Sequence, residues 1–142
     1  MLLLDIDASL LRFCADFADR HANMGVINFD ANADESTLPQ QDVVGISGVT
    51  VLADEGMCEV TVLFGISTRE DTNLFRLNTY MAELFEDVLP TRRIKIYDAN
   101  SGVQIGWMAV TNGTRALAVG GSSTRPLKYV MVNLLSSLAF DA

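Results

Sequence analysis

The sequence predicts an α+β fold, a mixed and mainly antiparallel β-sheet with two α-helices packed on one face. Three observations carry this expectation. Apolar residues recur at helical spacing in two separate stretches. Runs rich in β-branched and apolar residues, bounded by turn formers, fill most of the remainder. The order reads helix, two strands, helix, then three or four strands, and helices isolated among paired strands imply a sheet covered on one side. With 142 residues, 49% of them hydrophobic, the chain can build one domain with a core but not two. Residues 1–142 therefore read as a single domain.

Leu10, Phe13, Cys14 and Phe17 fall on one helical face behind Asp7 or Ser9 as a cap, which predicts a helix over about 8–21. The stretch "NMGVINFDANADESTLPQQD" follows, with Gly25, Pro39 and many small polar residues. It reads as a long loop or arm over about 23–42, mobile in the free subunit, whose apolar Val26, Ile27 and Phe29 dock on a surface; if that surface belongs to a neighbouring subunit, ordering of the arm is coupled to assembly. "VVGISGVTVL" and "CEVTVLFGIS" flank the turn "ADEG". Cys58, Val60, Val62, Phe64 and Ile66 alternate with polar residues, so the pair reads as a hairpin with one face on the core. Thr68 and Asp71 stand at capping-box spacing before Leu74, Leu77, Met81, Leu84 and Val88, and Pro90 ends that second helix. "RRIKIYDA" and "VQIGWMAV" flank "NSG", "TNGT" offers an Asn-Gly turn before "RALAV", and "LKYVMVNLL" closes the sheet.

Charge is segregated along the chain. The formal net charge is -8, and between Ala22 and Thr68 every charged residue is acidic: Asp30, Asp34, Glu35, Asp42, Asp54, Glu55 and Glu59. From Val88 to Phe140 the sign reverses, with Arg92, Arg93, Lys95, Arg115, Arg125 and Lys128 against Asp98 alone. Such charges can lie solvated on one subunit. The sharper expectation is head-to-tail assembly, in which an acidic arm carrying Asp30, Asp34, Glu35 and Asp42 meets the basic edge of a neighbour, a contact that closes into a ring when the rotation permits. Sequence-directed nucleic-acid binding is disfavoured, because a basic cluster of three in a protein of pI near 4.4 leaves most of the surface repelling phosphate.

Catalytic patterns are weak. "LLLDIDASLL" resembles the first motif of haloacid-dehalogenase-type phosphohydrolases, and that resemblance implies Asp5 as phosphoryl acceptor, Asp7 as acid/base, Ser67 or Thr68 as the second-motif hydroxyl, and Mg²⁺. The later acidic pair and the phosphate-gripping lysine are missing. Asp5 and Asp7 read instead as acids at a helix start, favoured by the helix dipole and dispensable to the fold when replaced by Asn. His21, the single histidine, reads as a partner of a helix C-terminus. "VGGSST" lacks the pattern of a phosphate cradle, and "NGT" is a glycosylation sequon only by letters. Cys14 and Cys58, distant and without a histidine nearby, read as buried thiols rather than metal ligands. The opening "MLLLDIDAS" lacks the basic n-region of a signal peptide, and no stretch approaches the roughly 20 apolar residues of a membrane span, so the expectation is a soluble protein made in a cytoplasm.

The whole-chain pattern resembles the tail-terminator, or tail-completion, proteins of tailed bacteriophages. The length, the acidic balance, the N-terminal helix, the hairpin, the helix "DTNLFRLNTYMAELFEDVL", then "RRIKIYD", "VQIGWMAV" and "RPLKYVMVNLL" carry it as an order of elements rather than a motif. The resemblance implies a non-enzymatic virion protein without cofactor, a hexameric ring that caps the tail tube and joins it to the neck. DNA would pass its lumen without sequence-specific binding, because carboxylates and phosphates repel. Another small neck, tail or baseplate protein is the alternative within the same class.

Overall fold

The computed structural model describes residues 1–32, 34–54 and 56–139, and for residues 112–121 the backbone alone. The elements are α1 (Leu3–Ala18), β1 (Met24–Asn28), β2 (Asp42–Asp54), β3 (Met57–Ser67), α2 (Phe75–Asp87), β4 (Arg93–Tyr97), β5 (Gln104–Gly121) and β6 (Pro126–Ser136), with 3-10 turns at Glu35–Thr37 and Thr72–Leu74. One six-stranded sheet runs in the order β1-β2-β3-β6-β5-β4. Only β1 and β2 are parallel; the other pairs are antiparallel.

Helix α1 begins several residues earlier than its apolar spacing predicts. Asp5 Oδ2 accepts the Leu2 amide at 2.8 Å, so Asp5, not Asp7 or Ser9, satisfies the open donor at the helix start. Ser9 turns inward, donating to the Asp5 carbonyl at 2.6 Å and accepting from the Tyr97 amide at 2.8 Å, which stitches α1 to β4. Leu10, Cys14 and Phe17 are buried as expected, and Phe13 packs on Phe64 with ring centroids 4.9 Å apart.

On β3, Cys58, Val60, Val62, Phe64 and Ile66 are all fully buried, the alternation the sequence predicts. Their partners Val130, Val132 and Leu134 stand directly opposite on β6 and face the same way. Leu77, Met81, Leu84 and Val88 join this core with α1, so both helices cover a single face. At the far ends of the two helices, Arg20 pairs with Asp87, and His21 Nε2 lies 2.6 Å from Glu83 Oε2. Strand β2 changes parity midway. A bulge between Ser47 and Thr50 moves the inward set from Val44 and Ile46 to Val49 and Val51, and Gly48, at φ +60°, absorbs the extra residue. No described helix is long and apolar enough to cross a membrane.

Two expectations are corrected. "TNGT" is not a hairpin turn. Both of its flanks pair with β6, so the extra residues enter one long β5 as register shifts between Val110 and Asn112 and between Asn112 and Arg115. Nor do residues 23–42 form an arm awaiting a neighbour. Met24–Asn28 is an edge strand on β2, where Gly45 lets the Ile27 carbonyl come so near that a Cβ there would lie 1.9 Å from it. Val26 packs against the core and Phe29 is buried. Because parallel neighbours need a crossover, residues 29–32 and 34–41 lie across the uncovered face of the sheet.

Helix α2 starts at Phe75 because Asn73 and Leu74 adopt left-handed backbone, at φ 58° and 59°. Asp71 still caps it, accepting from the Arg76 amide at 2.9 Å, the Leu77 amide at 2.8 Å and the Thr68 hydroxyl at 2.8 Å. Burial alone would raise the Asp71 pKa, but these donors and the Arg76 charge together hold it below the usual carboxylate range. A carboxyl depressed in the folded state stabilises above its unfolded pKa, and this stability is lost as pH falls through the folded value. Asp71→Ala should therefore cost about 1–2 kcal/mol at neutral pH. In denaturant titrations at stepped pH the gap between variant and parent should close below about pH 4.

Candidate functional site

The two acids of the phosphohydrolase-like motif stand on a helix, not at the end of a strand. Residues two apart on a helix point roughly 200° apart around its axis, so Asp5 and Asp7 do not converge on one ligand. Asp5 is buried, and besides the Leu2 amide it accepts the Ala99 amide at 2.8 Å through Oδ1. Asp7 is half-buried, and burial raises its pKa. Thr68 is engaged with Asp71, and Ser67 is fully buried on β3, with β6 and β5 between it and β4. Among the described residues no cluster of three or more metal-ligating side chains occurs. Cys14 and Cys58 are buried free thiols, both with pKa raised by burial.

The basic candidates do not form one surface. Arg92, Arg93 and Lys95 lie exposed on or beside the edge strand β4. Arg93 sits over the Trp107 ring, 4.9 Å from its centroid, and Lys95 stands opposite Trp107 in register. Lys128 projects to the helix face and donates to Asn78 Oδ1 at 2.8 Å. Arg125 is buried and donates through Nη1 to the Gln41 carbonyl at 2.9 Å. The Arg115 side chain lies outside the described residues.

The acidic candidates are also partly engaged within the chain. Asp42 takes Arg76 Nε at 3.1 Å and Nη2 at 3.2 Å, a bidentate pair within the subunit. Asp30 accepts the Ser47 hydroxyl at 2.7 Å and the Gly48 amide at 2.9 Å, fixing the β2 bulge. Asp34 caps the turn at Glu35–Thr37, and Glu35 accepts from the hydroxyls of Ser122 and Thr124. The last three have neutral partners and keep their charge exposed along the returning segment.

The surface that sequence reasoning missed is the bare end of the face opposite the helices. One row of directly paired residues crosses it: Leu52, Glu59, Leu135, Ala109 and Arg93. At the hairpin end Leu52 is 61% and Met57 54% exposed, flanked by the acids Asp54 and Glu59. At the β4 end, about 20 Å away at the usual spacing between strands, exposed Val103, Ile105 and Trp107 accompany Arg93 and Lys95. Apolar groups are thus bared beside acids at one end and beside cations at the other. The signal in the sequence was the apolar residues Leu52 and Met57 beside a turn, where polar ones are the norm.

The geometry revises what substitution of the two acids should do. Asp5→Asn puts an amide donor against one of two backbone donors and should destabilise by about 1–3 kcal/mol, while Asp7→Asn should stay within about 0.5 kcal/mol of the parent. Equilibrium unfolding of both variants checks this.

No family model matches the sequence, and no curated protein matches it. A solved structure is similar in fold, with 9% sequence identity, a TM-score of 0.53 and 94% of each chain covered. Its name states no activity, and at that identity it shows the fold alone.

Proposed function

We propose that this chain is a non-enzymatic structural subunit that assembles head to tail into a ring, the tail terminator of a tailed phage, joining tail tube to neck within the virion. The observation that carries the assembly is the bare sheet end, where Leu52 and Met57 beside Asp54 and Glu59 are complementary to Ile105 and Trp107 beside Arg93 and Lys95. Exposed apolar groups of this kind mark protein contacts, and opposite charges around them set register and reject wrong pairings. Complementary patches at two places on one subunit make a heterologous contact, which closes into a ring when the rotation allows. The formal charge of -8 suits a ring through which DNA passes without adhering. The order and number of elements, two helices on one side of a mixed sheet, fit the resemblance that suggested the family.

Light scattering on a concentration series tests the reading. The expected result is a concentration-dependent oligomer, six-fold at its limit and weakened by salt. Arg93→Glu and Glu59→Arg should each weaken association roughly tenfold, ~1.4 kcal/mol, and the double variant should restore it. A strict monomer at high concentration and low salt overturns the ring, and a closed dimer replaces it with a two-fold pairing of the same surface.

A further inference from the structure

Under the returning segment 29–41 lies a cavity of about 320 Å³, within the range of small-molecule sites. Phe29, Leu38, Leu127 and Tyr129 give it apolar walls, and Asn32, Glu35, Ser67, Ser122 and Arg125 contribute its polar groups. Two of those groups keep atoms that lack hydrogen-bond partners among the described residues. Arg125, only 7% exposed, spends Nη1 on the Gln41 carbonyl, while its Nε and Nη2 have no hydrogen-bond partner among the described residues. The fully buried Ser67 Oγ also has none. Buried donors in this state are rare, because each forfeits its hydration without recovering a bond.

We propose that this cavity binds a small-molecule carboxylate carried on an apolar group. The Nε and Nη2 atoms form the edge of a guanidinium that takes two oxygens of one carboxylate. Arg76 uses that same edge on Asp42 in this protein. On Arg125 the same edge has no partner among the described residues, Ser67 offers a third donor without one, both residues line the cavity, and the aromatic and aliphatic walls take the apolar body. Burial lowers the Arg125 pKa, in keeping with a desolvated cation that lacks an anion in contact. Glu35 sets the charge of the ligand. Its Oε1 accepts from Ser122 at 2.6 Å and from Thr124 at 3.1 Å, which holds a negative charge beside the cavity and opposes a dianion such as phosphate more than a single carboxylate. This inference does not depend on the assembly reading, since the cavity lies within one subunit.

Titration of the full-length protein with 3-phenylpropionate, followed through backbone amide shifts, is the test. Saturable shifts at Ser67, Arg125 and Tyr129 are expected, with a dissociation constant of about 1 mM or tighter. The matching alcohol, 3-phenylpropan-1-ol, should give none. Arg125→Lys keeps the charge but loses the fork, and should weaken the acid about tenfold. Ser67→Ala should weaken it by a smaller factor, and Glu35→Gln should let phosphate compete. If Arg125→Lys does not fold, the acid and alcohol arms on the parent and Ser67→Ala decide alone. No saturable shift, equal binding of the alcohol, unchanged affinity in Arg125→Lys, or phosphate binding as tightly to the parent would each overturn the proposal and leave a cavity filled by water.

Discussion

Strand β3 buries the whole of one face and the Gly65 end of the other, and everything else is arranged around that constraint. Its inner side chains Val60, Val62, Phe64 and Ile66 are fully buried under both helices. Burying each such side chain contributes about 1.5–3 kcal/mol, so a register slip that turned this set outward would cost most of a small domain's stability. On the other face β3 gives way at Gly65. A Cβ there would lie 2.5 Å from Tyr129 Cε1 and 2.9 Å from Phe29 Cε2, and the absence of that atom lets the two rings meet edge-on with centroids 5.6 Å apart. That contact anchors the segment returning from β1 to β2.

The outer face is divided as a result. Toward the Gly65 end the returning segment covers it and encloses the cavity against Arg125 and Ser67. Toward the far end the sheet is bare, and the row from Leu52 to Arg93 meets solvent with apolar groups between charges. A sheet with helices on one side must solvate, pair or cover the other. This one covers one end and leaves the other exposed among the described residues.

Electrostatics follow the same partition. The carboxylates that hold the fold are engaged within the subunit: Asp5 on the Leu2 and Ala99 amides, Asp42 on Arg76, Asp71 on the start of α2. Among the charges left over, Asp30, Asp34, Glu35, Asp54, Glu59, Arg92, Arg93 and Lys95 are exposed. Exposed charges contribute little to stability but act on encounter and register between molecules.

The sequence by itself determined the periodic elements. The alternation of β3, the apolar spacing of Leu77, Met81 and Leu84 on α2, and the turn between Asp54 and Met57 are local patterns, and each needs only its own residues to be read. The α+β class and the mainly antiparallel sheet followed from their order. Tertiary structure alone decided the rest, because in each case a residue's partner lies far along the chain. Met24–Asn28 becomes a strand only once β2 is there to pair with it. The Asn-Gly of β5 is a bulge because β6 pairs with both of its flanks. Asp5 caps α1 through the nearby Leu2 amide, but its second oxygen is occupied only because the Ala99 amide arrives from beyond β4. The segregation of charge was legible as a count. Which charges remain unspent was not, since Asp42 and Arg76 lie 34 positions apart and meet only when the sheet brings α2 beside β2.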